Sequence, residues 1–167
     1  MRISLVCTLI GAVALAACSP PAPSKVDPAI ERAAIGAAID DFHDAAAKAD
    51  EERYFGHFAE DGVFLGTDAT ERWDVAAFRA YAHPHFEKKK KAWSFRSIRR
   101  AVTVDAGGSV AWFDEDLATP NLGPARGSGV LVKRGAEWKL SQYNLAITVP
   151  NARFEAVKKA AAAEASP

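Results

Sequence analysis

The hydrophobic period of this chain changes once, near Trp93, and that change limits the fold more than anything else in the sequence. Before it, apolar residues recur every three or four positions, as on a helix face. Asp27-Pro28 opens the first such stretch, since Asp is a good N-cap and Pro suits the first helical position. Ile35, Ile39, Phe42 and Ala46 then form one stripe. Asp50-Glu51-Glu52 starts a second, short helix with acid in its first turn and Tyr54, Phe55 and Phe58 as buried candidates. Asp61-Gly62 reads as a turn and Val63-Phe64-Leu65 as a short strand. Asp74 caps a third helix through Ala77, Phe78, Tyr81 and Phe86, which Pro84 should kink or end. After Trp93 the alternation is that of strands: Trp93 to Val104, Val110 to Leu117, Arg126 to Lys133 and Trp138 to Thr148. An Asp105-to-Gly108 turn, a Thr119-to-Pro124 loop and a Gly135-Ala136 turn join them, and strands joined so closely pair antiparallel. The order helix, helix, strand, helix, four strands is an α+β layout with helices covering one face of a curved sheet.

The N-terminus sets the expected address. Arg2 and the apolar run Ile3 to Ala17 have the make-up of a secretory signal. The run is too short to span a bilayer, which takes about 20 apolar residues. Leu15-Ala16-Ala17-Cys18 is similar to a bacterial lipobox, with small residues at the cut site and the thiol that receives lipid. Residues 1–17 are then a lipoprotein signal peptide, and 18–26 are a Pro-rich, extended tether behind a lipidated Cys18. The competing reading is an ordinary signal cut at an Ala, with Cys18 incidental. Each buried acyl CH₂ contributes about 0.8 kcal/mol, so a triacylated Cys18 would anchor firmly. Ser19, rather than Asp, after the cysteine favours the outer membrane facing the periplasm if the host is Gram-negative. Cys7 leaves with the signal, so the mature domain has no free thiol, which excludes thiol catalysis and cysteine–metal sites. With 21 basic and 21 acidic residues nothing points to nucleic acid. Residues 27–151 form one domain, and 152–167 are an Ala-rich tail, helical or disordered.

Three local patterns go beyond periodicity. One is Asp61-Gly62-Val63-Phe64-Leu65-Gly66-Thr67-Asp68 followed by Glu71-Arg72-Trp73; the second is Ala111-Trp112-Phe113-Asp114-Glu115. The third is Gly127 to Lys133, a turn, then Glu137-Trp138-Lys139-Leu140-Ser141-Gln142-Tyr143-Asn144. With these, the chain resembles the SnoaL-like branch of the nuclear transport factor 2-like superfamily over roughly Pro28 to Asn151. The resemblance implies a conical fold, a curved antiparallel sheet packed against three N-terminal helices, with a pocket between them. It also implies a homodimer through the outer face of the sheet in many members. The superfamily holds polyketide cyclases, ketosteroid isomerase, dehydratases and adaptor domains, so it implies little about chemistry.

Within that frame the candidate ligand-binding residues are Asp68, Glu71, Trp73, Trp112, Asp114, Arg126, Gln142 and Asn144. Trp138, Leu140, Gln142 and Asn144 share parity on the last strand, so all should point into the cone. Related sequences often hold His at the later positions, whereas Gln and Asn cannot exchange protons near neutral pH. These amides suit a ligand carbonyl or hydroxyl, or are satisfied core residues. Asp114 and Asp116 lie with Trp112 on one face of their strand and Glu115 lies with Phe113 on the other. One carboxylate at least points inward, either as a base with a raised pKa or neutralised by Arg126. Asp68, Glu71 and Trp73 fall at the rim, where Glu71 either binds ligand or caps a loop amide. His83 and His85 are two apart and cannot chelate from a helix, so no metal and no cofactor are expected. Lys88 to Lys91 with Arg96, Arg99 and Arg100 form a solvated basic face or a contact for anionic head groups. Gly127 and Gly129 inside a strand suggest a bulge. The leading expectation is an envelope domain binding a small hydrophobic or amphipathic ligand, or a partner protein. The alternatives are an isomerase, cyclase or dehydratase with an inward carboxylate as base, and an adaptor with a vestigial pocket.

Overall fold

The computed structural model describes residues 27–87 and 93–164, with the side chains of 163 and 164 excepted. Cys7, Cys18, the tether and Lys88 to Lys91 lie outside the described residues. Helix α1 (Pro28–Ala47) starts as its sequence dictates, with the Asp27 carboxylate accepting from the Ala29 amide at 2.8 Å. It buries Ile35, Ile39, Phe42, His43, Ala45 and Ala46. Helix α2 (Glu51–Gly56) is capped by Asp50 and buries Tyr54 and Phe55. Then follow β1 (Phe58–Leu65), β2 (Arg72–Asp74) and α3 (Val75–Glu87). The Asp74 carboxylate caps α3 through the Ala77 amide at 2.8 Å. The helix runs three residues past Pro84. Pro84 has no amide proton for the carbonyl four residues back, and that carbonyl belongs to Ala80, an exposed residue that water can serve.

The second half supplies β3 (Arg96–Val104), β4 (Val110–Ala118), β5 (Ala125–Arg134) and β6 (Glu137–Ile147). A 3₁₀ turn (Asn151–Arg153) and α4 (Phe154–Glu164) follow, the latter without a buried residue among those described. All six strands form one open, curved sheet in the order β2-β1-β6-β5-β4-β3. Neighbours pair antiparallel except β1 and β6, which run parallel. The long excursion through α3 and three strands makes that parallel pairing possible. Gly135 carries a φ of 63° in the β5–β6 turn, a conformation costly for a residue with a Cβ.

Three local expectations need correction. Phe58 opens β1 rather than extending α2, and Asp61-Gly62 is an irregularity inside β1 rather than a turn. Gly127 and Gly129 do not make a bulge, because β4 and β5 pair without a break from Val110 to Leu117. The break lies opposite, on β6, where Leu131 faces Leu140 while Val130 faces Gln142. One extra residue there flips the facing of everything after it.

The core runs from Ile35 to Leu145, between α1–α3 and the inner face of the sheet. Glu31 ties α1 to the β5–β6 hairpin, accepting from Trp138 Nε1 at 2.7 Å and from Lys133 Nζ at 2.5 Å.

Candidate functional site

Alternation on β4 turns Ala111, Phe113, Glu115 and Leu117 inward and leaves Trp112 49% exposed. Glu115 is therefore a carboxylate with 0% exposure in the middle of the core. A bare buried charge would be prohibitive, and three elements meet it. His43 Nε2, from the last turns of α1, lies 2.6 Å from Glu115 Oε1. Arg100, directly opposite Glu115 in the β3–β4 register, donates to Oε2 from Nε at 2.9 Å and holds Nη2 in ion-pair contact with it at 2.8 Å. Tyr143 Oη, on β6, donates to Oε1 over a longer 3.4 Å. Arg100 is held in turn by the Gly36 carbonyl at 3.0 Å and by Asp40 at 2.8 Å.

The electrostatics follow from this. Burial pushes the Glu115 carboxyl up, but His43 and Arg100 outweigh it and hold the group below the usual carboxylate range. Glu115 is thus an ionised acceptor, and His43 donates to it from Nε2. That fixes the ring and leaves Nδ1 as the nitrogen with no partner among the described residues. The glycines of β5 make room for this network. A Cβ on Gly127 would overlap the Tyr143 hydroxyl and lie 2.9 Å from Glu115 Oε1; one on Gly129 would meet the Gln142 carbonyl and the Phe113 ring.

His43 and Tyr143 form part of the wall of a pocket of about 380 Å³ between the helices and the sheet. Most of that wall is aromatic. Tyr54, Phe64, Phe78, Trp93 and Phe95 line it, and Trp73 and Tyr81 stack on each other at 4.7 Å. Trp73, Phe78, Phe64 and Tyr143 succeed one another with nearly parallel planes, at 8°, 16° and 11°. Thr67, Glu71, His85, Thr119, Asn121 and Leu122 add to the lining. Tyr54 is buried, and burial pushes its phenol well above the usual range, so it stays protonated.

Of the residues singled out from sequence, Glu71 and Trp73 line the pocket. Glu71 also caps a loop amide, with Oε2 accepting from Asp68 N at 3.1 Å. Asp68 does not line the pocket; its carboxylate holds Thr70 through the amide at 2.8 Å and the hydroxyl at 2.6 Å. Trp112 and Asp114 are on the outer face of the sheet, opposite in parity to Glu115, where Asp114 pairs with Arg99 at 2.8 Å. Arg126 is also outside, 3.8 Å from Asp116, and the inward carboxylate is neutralised by Arg100 instead. Gln142 and Asn144 do not point into the cone. The irregularity on β6 reverses their facing, so Tyr143 and Leu145 line the pocket in their place. Among the described residues no group of three or more His, Cys, Asp or Glu is placed to hold a metal.

His43, Arg100 and Tyr54 were not among the candidate site residues. His43 lies four after Ile39, on the edge of the apolar stripe of α1, which was a usable signal. Arg100 and Glu115 needed the strand register.

The sequence profile of the SnoaL-like domain matches residues 35–150. The chain belongs to the SnoaL-like domain family. Among curated proteins no sequence matches. Solved structures with the same fold are numerous. A nuclear transport factor 2-like protein of unknown function from Pseudomonas putida KT2440 is 15% identical over 74% of this chain and 89% of its own, with a TM-score of 0.60. A candidate aromatic ring hydroxylase from Novosphingobium aromaticivorans is 19% identical over 75% and 94%, at 0.60. A candidate scytalone dehydratase from the same organism is 13% identical over 72% and 86%, at 0.59. At these identities the SnoaL-like domain shares their fold, and its chemistry must be read from its own pocket.

Proposed function

We propose that this SnoaL-like domain binds a small hydrophobic or amphipathic molecule between its helices and its sheet. The pocket that supports this reading is about 380 Å³, walled mostly by aromatic rings, and carries on its wall His43, held by Glu115, which is itself paired with Arg100. Ligand sites are of this kind: concave, mostly apolar, with few fixed polar groups. An open pocket of that size also argues against an adaptor whose pocket is vestigial. The protein is, on this reading, an envelope lipoprotein anchored through Cys18. Among the described residues no helix is long and apolar enough to cross a membrane.

Trp73 and Trp93 line the pocket and make binding measurable. The chain from Lys25 onward should retain a small molecule in native mass spectrometry, or have its tryptophan fluorescence quenched by hydrophobic compounds at micromolar concentration. No retained mass and no quenching across a panel of planar and aliphatic compounds would sink the reading. For the anchor, Cys18→Ser should leave an unprocessed precursor without lipid; a processed, carbonate-resistant membrane species would refute it.

A second reading, an isomerase, cyclase or dehydratase, is favoured by one observation. A histidine oriented by a buried carboxylate on a pocket wall is a usual arrangement for a general base. The base would be His43 Nδ1. Glu115, ionised and enclosed by Arg100 and His43, serves as its orienter. His43→Gln should then abolish turnover of any substrate found while leaving its binding within a few fold.

A further inference from the structure

Glu71 is a half-buried carboxylate on the pocket wall with no counter-ion among the described residues. Phe64 on β1 pairs with Trp73 on β2, and the Gly66 amide donates to the Glu71 carbonyl at 2.8 Å, which carries the ladder one step further. Alternation then turns Phe64 and Gly66, and Trp73 and Glu71, to the same face, and all four line the pocket. The carboxylate lies across Gly66, where an added Cβ would overlap Glu71 Oε2. The acid thus occupies the pocket-side space that a side chain at position 66 would take. Oε2 also accepts from the Asp68 amide at 3.1 Å, and Oε1 has no hydrogen-bond partner among the described residues. Other shielded glutamates are ion-paired: Glu31 with Lys133, Glu51 with Arg79 and Glu115 with Arg100.

The wall beside Glu71 suits a positive charge. Trp73 stacks on Tyr81 at 4.7 Å, and the rings of His85 and Trp93 follow at 5.9 and 5.7 Å around the same cavity. The face of an aromatic ring is electrically negative and attracts a cation within about 6 Å of its centroid. Among the described lining residues there is no Lys or Arg, and Glu71 is the one carboxylate. An anionic ligand would meet that carboxylate and those ring faces, at a cost in both desolvation and repulsion. A primary ammonium is strongly hydrated and would have to shed that water against rings. An alkylated ammonium holds water less tightly, and aromatic faces are the usual seat of such groups.

We infer that the polar end of the ligand is a cation: the pocket takes a hydrophobic molecule carrying an alkylated ammonium group, seated on the faces of Trp73 and Tyr81 beside the Glu71 carboxylate. The inference rests on the ligand-pocket reading above, and a matched pair of probes separates the two. (2-Naphthylmethyl)trimethylammonium and 2-neopentylnaphthalene have nearly the same shape and differ in a charged nitrogen against a carbon. Binding to the purified protein is read by quenching of tryptophan fluorescence. The ammonium should bind the wild type about tenfold more tightly, within the range of a cation on aromatic faces. Glu71→Gln keeps a side-chain oxygen for the Asp68 amide and removes the charge. It should cut that tenfold ratio by about three- to fivefold, the worth of a partly exposed charge pair. Salt supplies a measurement on the wild type alone. Raising sodium chloride from about 0.01 M to about 1 M shortens the screening length from roughly 30 to 3 Å, and should weaken binding of the ammonium and not of its isostere. No preference for the ammonium in the wild type, a ratio unchanged in Glu71→Gln, or an ammonium affinity indifferent to salt would overturn the cationic assignment while leaving the pocket reading standing. Failure of both probes to bind would overturn the pocket reading and this inference with it.

Discussion

Arg100→Met should be among the most damaging single changes in the charged cluster behind the pocket wall. Arg100 gives Glu115 one N–H bond at 2.9 Å and a second ion-pair contact at 2.8 Å, and it also donates to Gly36 and Asp40. Met is apolar and of comparable length, so the cavity term is small and the loss is electrostatic. Glu115 would stay at 0% exposure with His43 and one long bond from Tyr143. Removing one partner of a buried pair costs about 3–5 kcal/mol, because the other charge is left uncompensated. For a domain of this size about 4 °C of melting temperature goes with each kcal/mol, so the drop should be roughly 12–20 °C. Urea unfolding of wild type, Arg100→Met, Glu115→Met and the double variant closes a cycle. The double variant should recover most of the loss, since replacing both charges by apolar groups is often neutral or better. The pH profile has a sign. The folded-state pKa of Glu115 is depressed, so its contribution is present above the ordinary carboxyl value of 4.5 and is lost as pH falls through the lower folded value. Arg100→Met should shrink that acid-side dependence. A single-variant cost under about 1 kcal/mol, with the double no better than the sum, would refute the argument that Arg100 compensates Glu115.

Gly127→Ala should destabilise by about 1–3 kcal/mol, since its Cβ would fall on the Tyr143 hydroxyl and close to Glu115; a melting temperature within a degree of wild type would contradict the packing described. His83, on α3, is raised above its usual pKa by its bond to Glu51 of α2. Its contribution is full below the ordinary value of 6.5 and is lost as pH rises through the raised folded value. His83→Gln should therefore be less stable than wild type at pH 5.5 and equal to it near pH 9, and a difference that grows toward alkaline pH would be the wrong sign. Gln142→Leu with Asn144→Leu should leave ligand affinity unchanged, because both residues face away from the pocket; a tenfold loss in the quenching titration would reopen their case.

Much of the fold was legible in the sequence because it is written in local terms. Asp27, Asp50 and Asp74 cap helices through amides two or three residues away, and nothing distant is needed for that. The stripe Ile35, Ile39, Phe42 fixed which side of α1 is buried, and the alternation after Trp93 fixed strands and turns. The same logic separated Glu115 from its neighbours Asp114 and Asp116, since alternation puts them on opposite faces. What it could not do was count across an irregularity. One extra residue between Leu140 and Tyr143 exchanges the two faces of β6, and with them Gln142 and Asn144 for Tyr143 and Leu145. A bulge is settled by pairing with β5 and β1, and periodicity within β6 carries no trace of it. The polar wall is tertiary for the same reason. His43, Arg100, Glu115 and Tyr143 come from a helix and three strands. Only the register that sets Arg100 against Glu115, and glycines that leave space for the Tyr143 hydroxyl, bring those charges together where burial makes each depend on the others.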